Sequence, residues 1–184
     1  YSSISASSGK WYCEQVFSNG SLMCGIQLLN GTDWDSTNPY GLVGGINVYG
    51  ANGNKYLDGT ATTFTSAFSS NDIIGIAVDM DSGNIEFFVN GSSRGSFSFT
   101  STTNYGNPFV FASHHISSHS IYINFGQDSS FAGEKTAQGN TDGNGIGDFY
   151  YAPPSGYLAL CSANLPEPTI SPNTDTQADD YFNT

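Results

Sequence analysis

Asp72-Ile73-Ile74-Gly75-Ile76-Ala77-Val78-Asp79, Asp81-Ser82-Gly83-Asn84, then Ile85-Glu86-Phe87-Phe88-Val89 and Asn90-Gly91 read as strand, turn, strand, turn. The first run is β-branched and apolar, the second alternates, and both are bounded by residues that tolerate positive φ. Outward from this block the pattern persists. Further strands are expected from Arg94 to Phe99, over Phe109-Val110-Phe111-Ala112, and over Ile121-Tyr122-Ile123-Asn124-Phe125. Upstream, Trp11, Cys13, Gln15 and Phe17 alternate with Tyr12, Glu14 and Val16. Across Asn19-Gly20, the residues Leu22, Cys24, Ile26 and Leu28 are expected to share the Trp11 face as the second arm of a hairpin. Asn-Gly occurs five times, at 19–20, 30–31, 52–53, 90–91 and 144–145. No window carries a long amphipathic helix, so the chain is expected to be all-β, an antiparallel two-sheet sandwich or barrel.

Composition narrows the function. The 184 residues suffice for one domain with a sizeable core. Four Lys plus Arg against 16 Asp plus Glu, a net charge of −12, argue against nucleic acid and anionic membrane as partners. No apolar run approaches the roughly 18 residues needed to cross a bilayer, and the opening Tyr1-Ser2-Ser3-Ile4 carries no basic-then-apolar signal. In the hairpin register, Cys13 and Cys24 are diagonal neighbours, which disfavours a disulfide, and with Cys161 they are expected to be free thiols.

Four ordered motifs resemble the SPRY domain family over about residues 9–161. They are Gly9-Lys10-Trp11-Tyr12-Cys13-Glu14 with Gly25-Ile26 after it, Asn71 to Asp79, Gly83 to Gly91, and Asn124-Phe125-Gly126-Gln127. The resemblance implies a bent, concanavalin-like sandwich (a jelly roll of two antiparallel sheets) and a non-enzymatic binding module whose loops at one end choose the partner. Two departures stand out: the strand usually found before the Gly9-Lys10-Trp11-Tyr12 motif is short or missing, and residues 128–148 interpose a long polar loop. That loop, with Tyr150 to Cys161 and Asn164-Leu165-Pro166, is similar to SPRY-like modules in large structural proteins of marine bacteriophages. The narrower likeness implies a virion location, in a fibre, spike or capsid-surface protein. The partners it implies are other virion subunits or a host surface protein or polysaccharide, within a homo-oligomer or larger assembly. Residues 162–184, Pro-rich and then acidic, are expected to form a linker or tail.

Candidate sites follow from chemistry. Asn140, Asp142, Asn144 with Gly145, and Asp148 have the spacing of a calcium loop, although the bidentate Glu at its twelfth position is replaced by Tyr151. A glycine-rich turn explains the same residues, and no other cofactor is expected. His114-His115-x-x-x-His119 lacks neighbouring acids or cysteines to complete a metal site. Gly91-Ser92-Ser93-Arg94-Gly95 spells a nucleophile pattern in a hairpin, where the required strand-to-helix elbow is absent. Trp34, Tyr40, Tyr49, Tyr56 and Tyr105 read as loop aromatics among polar neighbours, and the recognition surface is expected on the loops carrying Asp33, Trp34, Asp35, Tyr40, Tyr49, Tyr105 and His114. The same surface could serve a lectin-like adhesin or a purely architectural contact between subunits.

Overall fold

A computed structural model describes residues 1–18, 22–29, 42–115 and 120–166. The strands are β1 (Lys10–Phe17), β2 (Leu22–Leu28), β3 (Gly45–Tyr49), β4 (Asn54–Leu57), β5 (Thr60–Thr63), β6 (Ile73–Asp79), β7 (Asn84–Val89), β8 (Ser92–Ser98), β9 (Phe109–His115), β10 (Ile121–Asn124) and β11 (Leu158–Ala159). They form a six-stranded sheet, β10-β1-β6-β7-β8 with β11 beside β1, and a five-stranded sheet, β5-β4-β3-β2-β9. The all-β sandwich read from the sequence is the architecture observed. The strands read in β6 to β10 start and stop within about two residues of expectation, except that β9 runs three residues past Ala112 to His115. β3, β4 and β5 escaped the reading because each is five residues or fewer and is broken by Asn and Thr.

Inward-facing positions of the two sheets meet as one core. Trp11, Cys13, Phe17, Ile74, Ile76, Val78, Ile85 and Phe87 come from the six-stranded sheet, and Leu22, Cys24, Ile26, Leu28, Ile46, Val48, Phe109 and Phe111 from the other. The expected hairpin between residues 11–17 and 22–28 is therefore corrected: the two strands face each other across the sandwich. The reason is hydrogen-bonding capacity. β1 already pairs with β6 on one side and with β10 and β11 on the other, so no edge is left for β2. Cys13 and Cys24 are free and fully buried, and burial pushes both thiols up, which keeps them protonated and inert.

The segment before β1 is short but paired. Ala6 bridges Phe109, and the Ser2 amide donates to the Phe111 carbonyl at 2.9 Å, so the N-terminal residues border β9. The interposed loop is not free. Phe131 packs with Val16 and Ile73, and Phe149 with Tyr12 and Ala77, so residues 128–157 lie as a strap over the outer face of the six-stranded sheet before the chain joins that sheet as β11. Gly75 makes room beneath it, since a Cβ there would stand 2.5 Å from the Tyr12 hydroxyl.

Candidate functional site

The sandwich has two ends. The upper end gathers residues 42–44, the β4–β5 turn at Asp58-Gly59, the β6–β7 turn and the 99–108 segment; the lower end gathers the β3–β4 and β7–β8 turns. Tyr105 lies at the upper end, its ring edge-on to Phe99 at 6.0 Å and against Gly83. It is 41% exposed and Val43 is 40% exposed, and both belong to the few large hydrophobics exposed among the described residues. The two segments that carry them approach each other, because a Cβ at Gly44 would stand 2.7 Å from the Asn104 Nδ2 atom.

Asp58 holds this end together. Its Oδ1 accepts from the Gly44 amide at 2.6 Å, and its Oδ2 accepts from the Thr103 amide at 2.8 Å and the Thr103 hydroxyl at 3.0 Å. One carboxylate in a left-handed turn, at φ 47°, thus joins three separate segments. Asp58→Ala leaves three donors without their acceptor and is expected to cost about 2 kcal/mol. In thermal unfolding this reads as a fall of about 4–8 °C, accompanied by faster amide exchange at Gly44 and Thr103. A fall under 1 °C with unchanged exchange would remove Asp58 from this role.

The expected recognition residues do not all meet. Asp33, Trp34, Asp35 and Tyr40 lie outside the described residues, in the segment that ends at the upper-end residue Leu42. Tyr49 and His114 sit at the opposite end, at the finish of β3 and β9, in one row through Met23. The length of β3 alone places Tyr49 roughly 13 Å from the upper rim. A single surface holding Tyr49, Tyr105 and His114 is therefore corrected to an upper-end cluster that includes Tyr105 and excludes the other two. The His114 ring meets Tyr1 edge-on at 5.5 Å, and burial pushes its imidazole down toward the neutral form. Val43 and Asp58 were not legible in the sequence: an isolated Val after Leu42 and an Asp-Gly turn carry no sign of what they touch.

The calcium expectation meets a different geometry. Asp142 is 6% exposed, and its Oδ1 accepts from the amides of Asn144 at 2.9 Å and Ile146 at 3.0 Å. Its Oδ2 accepts from the Ala159 amide at 3.0 Å and Asn164 Nδ2 at 2.8 Å. Asn140 turns its Nδ2 toward the Tyr150 carbonyl, and Asn144 donates to Asn164. Both Asp142 oxygens are already directed at N–H groups, whereas Asp148 Oδ1 is buried without a hydrogen-bond partner among the described residues. Among the described residues, no group of three or more His, Cys, Asp or Glu converges as a metal site. Asp142 centres a turn with Asn144 and Ile146, while Asn140 bonds to Phe149 and Tyr150 and the Asp148 amide to the Gly126 carbonyl. Ser93, in the nucleophile-like pattern, lies on β8 and donates to Glu86.

A buried carboxylate escaped the sequence reading altogether. Glu14, in the middle of β1, has no exposed surface. Its Oε1 accepts from the Tyr151 amide at 2.7 Å and the Tyr12 hydroxyl at 3.3 Å; its Oε2 accepts from the Tyr150 amide at 2.8 Å and Asn124 Nδ2 at 3.3 Å. Burial pushes the carboxyl up to about 7, against the opposing pull of these four donors. The strap covers it, so it is a structural group with no route to a substrate.

Comparisons with known proteins agree with this geometry. No curated protein matches the chain. The crystal structure of the SPRY domain of human HERC1 superposes with a TM-score of 0.53 at 17% identity, covering 66% of this chain and 78% of that one, which shows a shared fold. The model of the family described as the SPRY domain matches residues 23–128, more than half of the chain, leaving the strap after 128 outside the match. With both sheets and the family's ordered motifs in place, the chain belongs to the SPRY domain family.

Proposed function

We propose that this domain is a non-catalytic recognition module of a larger assembly, engaging a protein partner through the upper end of the sandwich. SPRY domains are protein-interaction modules, and the observation that carries the placement is the pairing of exposed Val43 and Tyr105 on loops tied by Asp58. Asp33, Trp34, Asp35 and Tyr40 lie outside the described residues, and their residue types alone make them further candidates in this proposal. A stiff sandwich presenting a few apolar anchors loses little conformational entropy on contact, so a small surface can bind specifically. The likeness of the 128–166 region to phage structural modules supports a virion fibre, spike or capsid-surface protein as the assembly.

Imaging the protein in its native assembly tests the reading. Val43 and Tyr105 are expected within contact distance of another protein chain. Tyr105→Ala and Trp34→Ala are each expected to weaken that contact about tenfold, or about 1.4 kcal/mol, while the folded far-ultraviolet spectrum is kept. An upper end that faces solvent and binds immobilised glycans would replace this reading with the lectin-like one. Unchanged affinity in both variants would displace the surface from the upper end.

A further inference from the structure

Residues 128–157 cross the outer face of the six-stranded sheet, and apolar side chains hold the strap at several points. Phe131 packs with Val16 and Ile73, and Phe149 meets Tyr12 edge-on at 5.4 Å. Between these contacts lies Glu14, completely buried, receiving the consecutive main-chain amides of Tyr150 and Tyr151. We propose that this segment is a pH-sensitive strap latched by the Glu14 carboxyl, held tightest in acid and loosening as the solution approaches neutrality.

The argument is a linkage between a proton and a contact. With the strap down, Glu14 is walled off from water by Tyr12, Asn124 and the strap itself. With the strap lifted, it stands on an open sheet face and titrates as an ordinary carboxyl. Burial favours the neutral form, so the closed state retains a proton over a range where the open state has lost it. Closing therefore binds a proton, and raising the pH through that range opposes closing. The closed geometry accommodates both forms: a protonated Oε1 can donate to the Tyr12 oxygen while the two strap amides keep their acceptors.

The groups facing Glu14 leave it as the titrating element. On its own strand, Tyr12 and Cys13 are both pushed above their ordinary values by burial and remain neutral through this range. From β10 comes Asn124, whose Nδ2 also donates to the Asp148 carbonyl of the strap at 2.8 Å. β6 contributes Gly75 opposite Glu14, which has no side chain. From the strap comes Tyr151, itself pushed upward by burial and, more weakly, by Tyr150, Glu14 and Asp72. The strap's lysine, Lys135, is engaged elsewhere, on the Asn71 carbonyl at 2.9 Å. No lysine, arginine or histidine is among the groups bonded to the carboxyl. Lifting the strap would uncover two otherwise sealed apolar patches on either side of Glu14, Tyr12 with Ala77 and Val16 with Ile73.

Amide hydrogen exchange on the intact chain at pH 5 to 8, corrected for the intrinsic pH dependence of exchange, tests the latch. Protection at Phe149, Tyr150 and Tyr151 is expected to fall on the order of a hundredfold across that range, while protection in β6 and β7 stays level. In Glu14→Gln the strap's protection is expected to lose its pH dependence. Tyr12→Phe, a milder change should the first variant not fold, removes a donor to the ionised form and is expected to move the midpoint upward. Protection independent of pH, a fall shared equally by β6 and β7, persistence of the effect in Glu14→Gln, or an unmoved midpoint in Tyr12→Phe would each overturn the proposal.

Discussion

Gly25→Ala is expected to destabilise the protein more than any other substitution considered. Gly25 sits mid-strand in β2, paired to Asn47 on one side and Ala112 on the other. A Cβ added there would lie 2.0 Å from the Ile46 carbonyl oxygen and 2.8 Å from the Asn47 Cα. Both obstacles are main chain, so no rotamer change relieves the clash. β3 would have to move by more than about 1 Å, breaking the ladder through the centre of the five-stranded sheet. Ile26, Ile46 and Phe111 pack in the core beside this point. Losing that packing together with ladder hydrogen bonds is expected to cost about 4 kcal/mol or more, a large part of the 5–15 kcal/mol typical of a domain. Thermal unfolding followed by circular dichroism should show a drop of about 10 °C or more. A variant within 3 °C of wild type would mean that the strand has a relaxation these contacts do not reveal.

Asp142→Ala is the second large effect, expected at about 3 kcal/mol. Four N–H groups converge on this carboxylate, from Asn144, Ile146, Ala159 and Asn164, and the alanine variant leaves them without an acceptor. It would also separate the 140–149 turn from β11, which lies beside β1. Denaturant unfolding measures the loss. Added chelator is expected to leave the wild-type midpoint unchanged, because protein donors already fill the carboxylate's bonding directions. A chelator-induced fall of several degrees that calcium reverses would restore the cation reading.

Asp142 and Glu14 respond to pH in opposite directions. Burial tends to raise the Asp142 carboxyl, but the Ala159 and Ile146 amides, Asn164 and the Asn144 amide outweigh it and hold it below the usual range. Its folded value is depressed, so its stabilising contribution is present above the ordinary carboxylate pKa and is lost as pH falls through the folded value. Glu14 is raised from 4.5 to about 7. Its contribution is greatest below 4.5 and declines as pH rises toward 7, then levels off.

Much of this architecture was legible because strand signals are local. Ile73 to Asp79 and Asn84 to Val89 carry their β-branched residues, alternation and turn residues within a few positions of one another, and the turns at 81–84 and 90–91 formed where those residues stand. Of the aromatics read as loop residues, Tyr105 does stand exposed at the upper end, whereas Tyr49 and Tyr56 lie in β3 and β4. Their grouping was not legible. Tyr49 and His114 have the same polar neighbours in sequence, yet the direction of β3 and β9 carries them to the other end.

The chain's order of apolar and polar residues was enough to determine that it forms an all-β sandwich and which faces of the main strands turn inward. Those properties depend on side-chain alternation and on short-range turn chemistry. Tertiary structure alone decided that β1 and β2 lie in opposite sheets, that a polar stretch becomes a strap, and that Glu14 is sealed beneath it. These outcomes depend on which backbone edges remain open and on main-chain amides at Tyr150 and Tyr151, 136 and 137 positions from their carboxylate. A backbone N–H is the same at every non-proline residue, so no residue type marks it in advance as the partner of a distant buried charge.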